Sequence, residues 1–190
     1  MKHIISLLLL LFTGSIIFAQ NTNKRIFGVS TGYAFKYENS VYIDFGDYST
    51  WPDHLGNAMF NVFYEYMFTS SFKMGVNLNY EKSKIDDFYL GKSSAKKYMW
   101  GFHWIGQYPR KPLHGELGGY FKTGVLIHEE FDKNPKGIEY GIIAGPAMDI
   151  GKISLALHFQ AGMSYFFQDE SPTDILVFYP QLLFKLGYCF

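Results

Sequence analysis

Six histidines are the side chains of this 190-residue chain best suited to proton transfer or metal binding, because the ordinary pKa of histidine lies near neutral pH. They are His3, His54, His103, His114, His128 and His158. His128 is followed by Glu129 and Glu130, which resembles a metal-ligand cluster, but consecutive residues of a strand point to opposite faces. No HExxH, GxSxG or glycine-rich phosphate-binding motif occurs. The sequence therefore predicts no catalytic residue, no cofactor and no metal site.

A second chemical group consists of lysines and carboxylates that alternate with apolar residues along the chain. Its members are Lys36, Glu65, Lys73, Glu81, Lys122, Glu139, Asp149 and Lys185. Four of each sign on one set of faces predict a network of ion pairs in a shielded interior, where an unpaired charge is costly. Glu65 and Lys73 flank a tight turn and are expected to meet across one hairpin. The alternative is a gated conductance, in which lysines and glutamates exchange partners.

The first long polar segment is the best candidate for ligand binding. It combines aromatic and acidic residues without a base: Tyr42, Asp44, Phe45, Asp47, Tyr48, Trp51 and Asp53. Exposed aromatic rings beside acids can stack on sugars or hold a cationic peptide. The alternative is that these residues only extend the flanking strands above a membrane, with Tyr and Trp at its interface.

The second long polar segment is basic. Its lysines outnumber Asp86 and Asp87, and they are Lys82, Lys84, Lys92, Lys96 and Lys97. Such a segment is suited to docking on anionic phosphate groups. The same strand-extension alternative applies here.

Period-two alternation predicts the elements that position these residues. We identify eight strands: 25–37, 58–68, 72–82, 98–107, 117–128, 138–150, 153–167 and 176–190. Each has one apolar face, which we assign outward, and no charge interrupts those faces. Pro146 and Pro180 lie inside two of the strands, where each is expected to mark a bulge or a strand end. The connection 108–116 is long for a turn, unlike 69–71 and 151–152.

The remaining features bound the class of protein. Residues 1–19 resemble a cleaved secretory signal peptide, which leaves 20–190 as one domain. Cys189 is the only cysteine, so no intramolecular disulfide is possible. Seventeen basic and seventeen acidic residues balance, which argues against nucleic acid as a partner. Aromatic residues at 19% and a mean hydropathy of −0.04 suit a barrel that is apolar outside and polar inside.

The last strand carries the resemblance to a known family. Phe184, Leu186, Tyr188 and the terminal Phe190 alternate with more polar residues. A secreted chain with this ending resembles the small eight-stranded outer-membrane β-barrels of the OmpA/OmpX type. The resemblance implies an all-β fold, an eight-stranded antiparallel up-and-down transmembrane β-barrel in the bacterial outer membrane. It also implies that the barrel-assembly machinery recognises the last strand, and that lipid and lipopolysaccharide surround the barrel.

Three functional interpretations remain open at this stage. The first is a non-enzymatic barrel with a plugged lumen and a structural, adhesive or surface-binding role, whose partner would be an extracellular glycan or peptide. The second is a narrow transport channel or a lipid-modifying enzyme. Outer-membrane lipid deacylases have serine two residues after a histidine. Here the residue two positions after His103 is Ile105, and the residue two positions after His158 is Gln160. The third is a soluble lipocalin-like carrier with the faces inverted, so that Trp100, Phe102 and Trp104 line a ligand cavity.

Overall fold

A computed structural model describes residues 24–35, 53–87, 91–108, 112–128, 136–167 and 175–190. These residues form eight strands, each antiparallel to the next, and β1 pairs with β8 to close the barrel. The strands are β1 Arg25–Ala34, β2 Asp53–Thr69, β3 Phe72–Asp87, β4 Gly91–Tyr108, β5 Leu113–His128, β6 Lys136–Ile150, β7 Ile153–Phe167 and β8 Ile175–Cys189. The predicted fold class is confirmed. No helix among the described residues is long and apolar enough to cross a membrane.

The apolar faces lie outside the barrel and the polar faces lie inside. Leu78 and Trp100 expose 65% and 62% of their surface, whereas Lys73 and Glu65 expose 1% each. This is the reverse of a soluble barrel, which keeps its charges outside. The lipocalin-like alternative is therefore wrong for this chain, because Trp100, Phe102 and Trp104 face outward and line no interior cavity.

Among the described side chains, the outward faces carry charge only beyond the edges of their apolar stretches. Four outward basic residues are exposed where strands begin or leave the apolar band: Arg25, Lys82, Lys96 and Lys136. Arg25 and Lys82 fall within the strands identified from the sequence, so the outward faces are not wholly free of charge. Their positions agree with the depth dependence of the cost of a lipid-facing charge, which is largest at the bilayer midplane.

Several strand boundaries differ from those expected. β3 continues to Asp87 and β4 begins at Gly91, so most of the second polar segment belongs to these two strands. β5 begins at Leu113, and Tyr108 pairs with Gly115. The expected long connection 108–116 is therefore wrong. The prolines at 109 and 112 suggested a turn, but the alternation continues through His114 and Glu116, which both face inward.

The two prolines are accommodated without a register shift. The main-chain oxygen of Pro180 accepts a hydrogen bond from the Phe35 nitrogen at 3.0 Å, just beyond the end of β1. The nitrogen of Pro180 faces the same side but carries no hydrogen, so the reciprocal bond to the Phe35 oxygen cannot form, and β1 ends at Ala34. Pro146 interrupts the β6–β7 ladder, which pairs Ala144 with Phe159 and Ala147 with Ala156 in one register. The expectation that each proline marks a bulge or the end of its own strand is therefore wrong, because β6 and β8 continue through Pro146 and Pro180.

The β6–β7 connection is a two-residue turn of Gly151 and Lys152. Gly151 has a φ of 61°, in the left-handed region that a glycine adopts without the steric cost of a side chain. Such turns match the twist of the flanking strands. The turn lies at the same end of the barrel as the described chain ends, where the Phe190 nitrogen donates to the Arg25 oxygen at 2.9 Å.

Candidate functional site

The candidate site is the barrel interior, where buried charges gather in two clusters. The lower cluster lies near the end of the barrel that holds Arg25 and Phe190, and consists of Glu65, Lys73, Glu116 and Lys185. The upper cluster lies nearer the opposite end, and consists of Glu81, Lys97, Lys122 and Glu139. All eight side chains are buried.

Glu65 is one centre of the lower cluster. Its Oε2 lies 3.1 Å from Lys73 Nζ, and its Oε1 accepts a hydrogen bond from Lys185 Nζ. The same Oε1 lies 2.6 Å from Nε2 of His103. These contacts join side chains of β2, β3, β4 and β8, because inward positions of distant strands converge at the axis of a small barrel.

Glu116 is the second centre of the lower cluster. Its Oε1 lies 2.7 Å from Lys73 Nζ, and its Oε2 lies 2.6 Å from His158 Nε2. Gln107 donates to it from Nε2 at 2.9 Å, and His114 Nε2 lies 3.3 Å away. Lys73 therefore bridges Glu65 and Glu116, and every oxygen of the two carboxylates has a partner.

Glu139 organises the upper cluster. Its Oε2 lies 2.8 Å from Lys97 Nζ, and its Oε1 lies 3.0 Å from Lys122 Nζ. Lys97 Nζ also lies 2.8 Å from Oε2 of Glu81, and the Ser164 hydroxyl donates to Glu139 at 3.2 Å. Side chains of β4, β5 and β7 thus meet around the Glu139 carboxylate of β6, and Lys97 links it to Glu81 of β3.

Each cluster pairs two lysines with two glutamates and is neutral by itself. This balance matters because desolvating a charge costs several kcal/mol, which only close partners and further hydrogen bonds offset. β1 contributes a separate polar contact with β2, in which the Ser30 hydroxyl accepts from Asn61 Nδ2 at 3.0 Å. The interior thus links all eight strands through polar contacts.

Aromatic side chains fill the space beside the charges. Lys185 Nζ lies 4.3 Å from the centroid of the Phe63 ring, and Lys122 Nζ lies 4.5 Å from that of Tyr120. Both contacts are in the range of cation–π attraction. Tyr120 packs against Gly162, where a Cβ atom would collide with the tyrosine hydroxyl. Phe63 and Tyr120 therefore occupy the lumen beside the ion pairs.

A small cavity remains beside the lower cluster. Its volume is about 20 Å³, and its lining includes Asn61, Asn77, His103, His158 and Gln160. That volume suits a single water molecule and is far below that of a site for an organic ligand, about 300–1,000 Å³. Although each of the two histidines contacts a carboxylate, as in an acid–base pair, the cavity beside them is too small for a substrate.

The eight residues predicted to form the network have three different outcomes in the structure. Six of them form the ion pairs described above: Glu65, Lys73, Glu81, Lys122, Glu139 and Lys185. Lys36 lies outside the described residues. Asp149 is only half-buried, and no ion pair joins it to the rest of the described interior; its Oδ1 lacks a hydrogen-bond partner there.

Two central residues were missed by the sequence analysis. Lys97 was placed in the basic segment and Glu116 in a connection, but both are inward residues of extended strands. Alternation could have located them: Lys97 precedes Met99, Gly101 and His103 at spacings of two on the inward face, and Glu116 precedes Gly118 in the same way. A polar residue at an inward position thus does not mark the end of a strand.

The predicted ligand-binding segment cannot be placed. Its residues Tyr42, Asp44, Phe45, Asp47, Tyr48 and Trp51 lie outside the described part of the chain. Asp53 is the first residue of β2, and nothing is described of its side chain. The described residues contain no group of three or more His, Cys, Asp or Glu side chains that could hold a metal ion.

No family model matches this sequence, and no curated protein matches it. Several solved structures resemble the barrel over most of its length. Outer membrane protein OprG from Pseudomonas aeruginosa has a TM-score of 0.59 at 12% identity, over 89% of this chain and 96% of that one. Neisserial surface protein A has a TM-score of 0.55 at 9% identity, over 88% and 96%. At such identities the likeness concerns the fold, and this chain has the fold of the small eight-stranded outer-membrane β-barrels.

Proposed function

We propose that this protein is a non-enzymatic outer-membrane β-barrel with a closed lumen, which acts in the structure of the envelope or in binding at the cell surface. The observation that carries the proposal is the filled interior. Two neutral ion-pair clusters, together with Phe63 and Tyr120, leave a cavity of only about 20 Å³ beside the lower cluster. Neither a solute path nor a substrate pocket fits in that space.

The location follows from the outer wall. Its exposed apolar side chains form a continuous band, and the outward charges among the described side chains lie at or beyond the edges of that band. In water such a surface would cause aggregation, whereas in a bilayer it contacts the hydrocarbon core. With the short turns on the periplasmic side, the ends of β3 and β4 near Asp87 and Gly91 lie outside the cell. A signal peptide at residues 1–19 would account for export.

We assign the surface-binding role to the aromatic and acidic segment 41–53, of which only Asp53 belongs to the described residues. Its ligand, a glycan or a cationic peptide, is a proposal that depends on its composition alone. The barrel-assembly machinery and the surrounding lipid are the partners that any protein of this fold requires.

A conductance measurement tests the closed lumen. The purified barrel, inserted in a planar bilayer of neutral lipid, is expected to leave the membrane current at the baseline, because no water-filled path crosses the two clusters. An open porin inserted under the same conditions serves as the positive control. Regular current steps from the barrel itself would show a continuous pore and would contradict the proposal in favour of transport.

A further inference from the structure

The outer wall of the barrel contains a groove that is separate from the interior clusters. It crosses β2 to β5, has a volume of about 510 Å³, and is lined on its apolar sides by Phe60, Val62, Leu78, Tyr98, Trp100 and Val125. The volume is in the range of small-molecule sites. Since its aromatic and aliphatic lining faces away from the lumen, any occupant comes from the surroundings of the barrel.

Two lysines lie beyond one end of this groove. Tyr80 and Tyr98 are cross-strand partners with ring centroids 5.2 Å apart, and the next outward residues along β3 and β4 are Lys82 and Lys96. These lysines are also direct cross-strand partners, and both are exposed. Two like charges in that arrangement repel each other.

Nothing in the described part of the chain compensates this repulsion, because no ion pair joins either lysine to another described residue. On the neighbouring strands, Ala58 pairs with Lys82 and Ile127 with Lys96. Neither neighbour carries charge, and alanine leaves space beside Lys82. The pair is therefore accessible to an anion, and a phosphate oxygen would accept hydrogen bonds from both ammonium groups.

We propose that the groove and the lysine pair together bind one molecule of an anionic lipid of the outer leaflet, a phosphorylated acyl glycolipid of the lipid A class. The acyl chains would lie along Leu78, Trp100 and Val125, and a phosphate would lie between Lys82 and Lys96. Free phosphate would leave the groove unused, and a neutral lipid would leave the lysines unpaired. The inference rests on the proposed outer-membrane location, since Lys82 and Lys96 lie at the end of the barrel away from Arg25 and Phe190.

Native mass spectrometry of the folded full-length barrel in nonionic detergent tests the site. The probe is lipid A that carries both phosphates, titrated against the wild-type protein and the double variant Lys82→Gln/Lys96→Gln. We expect one lipid to remain bound to the wild type, and binding about tenfold or more weaker in the variant, because each basic residue near an anionic lipid surface contributes about 1 kcal/mol. Lys82→Arg/Lys96→Arg keeps the charge and is expected to keep the lipid.

Three controls make the result specific. Lys152→Gln removes an exposed lysine at the opposite end of the barrel and is expected to bind as the wild type does. Trp100→Ala is expected to weaken binding, although both lysines are present. Inorganic phosphate is expected not to displace the lipid, which separates a lipid site from a simple anion site.

Equal binding by the wild type and the Gln double variant, or equal binding of lipid A without its phosphates, would overturn the proposal. Each barrel is first checked for resistance to detergent before heating, so that an unfolded variant is not mistaken for a loss of binding. A folded, non-conducting wild-type barrel that binds no lipid A would refute this site alone. Conductance by the wild type would instead refute the proposed function.

Discussion

Replacement of Glu65 by alanine is expected to lower the free energy of unfolding by about 3–5 kcal/mol, the cost of removing one member of a buried ion pair. Glu65 contacts Lys73, Lys185 and His103, and its side chain is 1% exposed. Lys185 would lose its carboxylate partner, and Lys73 would retain only Glu116. Urea unfolding of the barrel in lipid vesicles, followed by tryptophan fluorescence, measures the change.

Asp149→Ala is the matched control for this experiment. It removes another carboxylate of the predicted network, but one that is half-buried and forms no ion pair with the described residues. Its expected cost is about 1 kcal/mol or less. Equal destabilisation by the two variants would show that the contacts of Glu65 are not what stabilises the interior.

The Glu65→Ala barrel also discriminates between a structural network and a gate. If the lower cluster only holds the strands together, the variant is expected to carry no current in a planar bilayer, because Phe63, Tyr120 and the upper cluster still fill the lumen. A clear rise in conductance over the wild type would mean that Glu65 and Lys73 exchange partners to open a path.

Replacement of Val76 by lysine is expected to destabilise the barrel by about 2–4 kcal/mol, the cost of a basic residue on a lipid face near the bilayer midplane. Val76 is 58% exposed on the outward face of β3, between Met74 and Leu78. In water, such an exposed valine would accept lysine at little cost. The loss of stability, measured by urea unfolding in lipid vesicles, therefore shows whether the outer wall contacts lipid or water.

Tyr108→Lys is the control for depth. Tyr108 is 83% exposed and ends β4, close to the short connection to β5. The cost of lysine falls to about 0–1 kcal/mol near the interface. A gradient between the two positions is the expected result, and equal costs at both would contradict a lipid-facing wall around Val76.

The alternation along each strand made the fold predictable. Its period of two assigned Leu78 and Trp100 to one face and Lys73 and Glu65 to the other, and both assignments agree with their exposure. The number of alternating segments gave the strand count, and the pairing of β1 with β8 follows from the need to leave no open edge. The inverted soluble barrel has the same periodicity, so only the exposure of Trp100, Phe102 and Trp104 removes that alternative.

The partners within the interior were less predictable. Glu65 and Lys73 are neighbours across one hairpin, so local register was enough to expect their contact. Two other ion pairs join strands that are not adjacent in the barrel. Lys73 of β3 contacts Glu116 of β5, and Lys185 of β8 contacts Glu65 of β2. Such contacts depend on the tilt and closure of the barrel. Lys97 and Glu116 were missed because charged residues resemble loop composition, although the inward face of a closed barrel suits them equally well.

The measurement that tests the central claim most directly is the gel mobility of the detergent-extracted protein, unboiled and boiled, from separated outer-membrane and soluble fractions. A closed barrel whose strands are joined by two buried ion-pair clusters should resist the detergent until heated. The predicted result is protein in the outer-membrane fraction whose apparent mass changes on boiling. Protein in the soluble fraction, with the same mobility before and after boiling, would contradict a membrane barrel with an apolar wall and a charged interior.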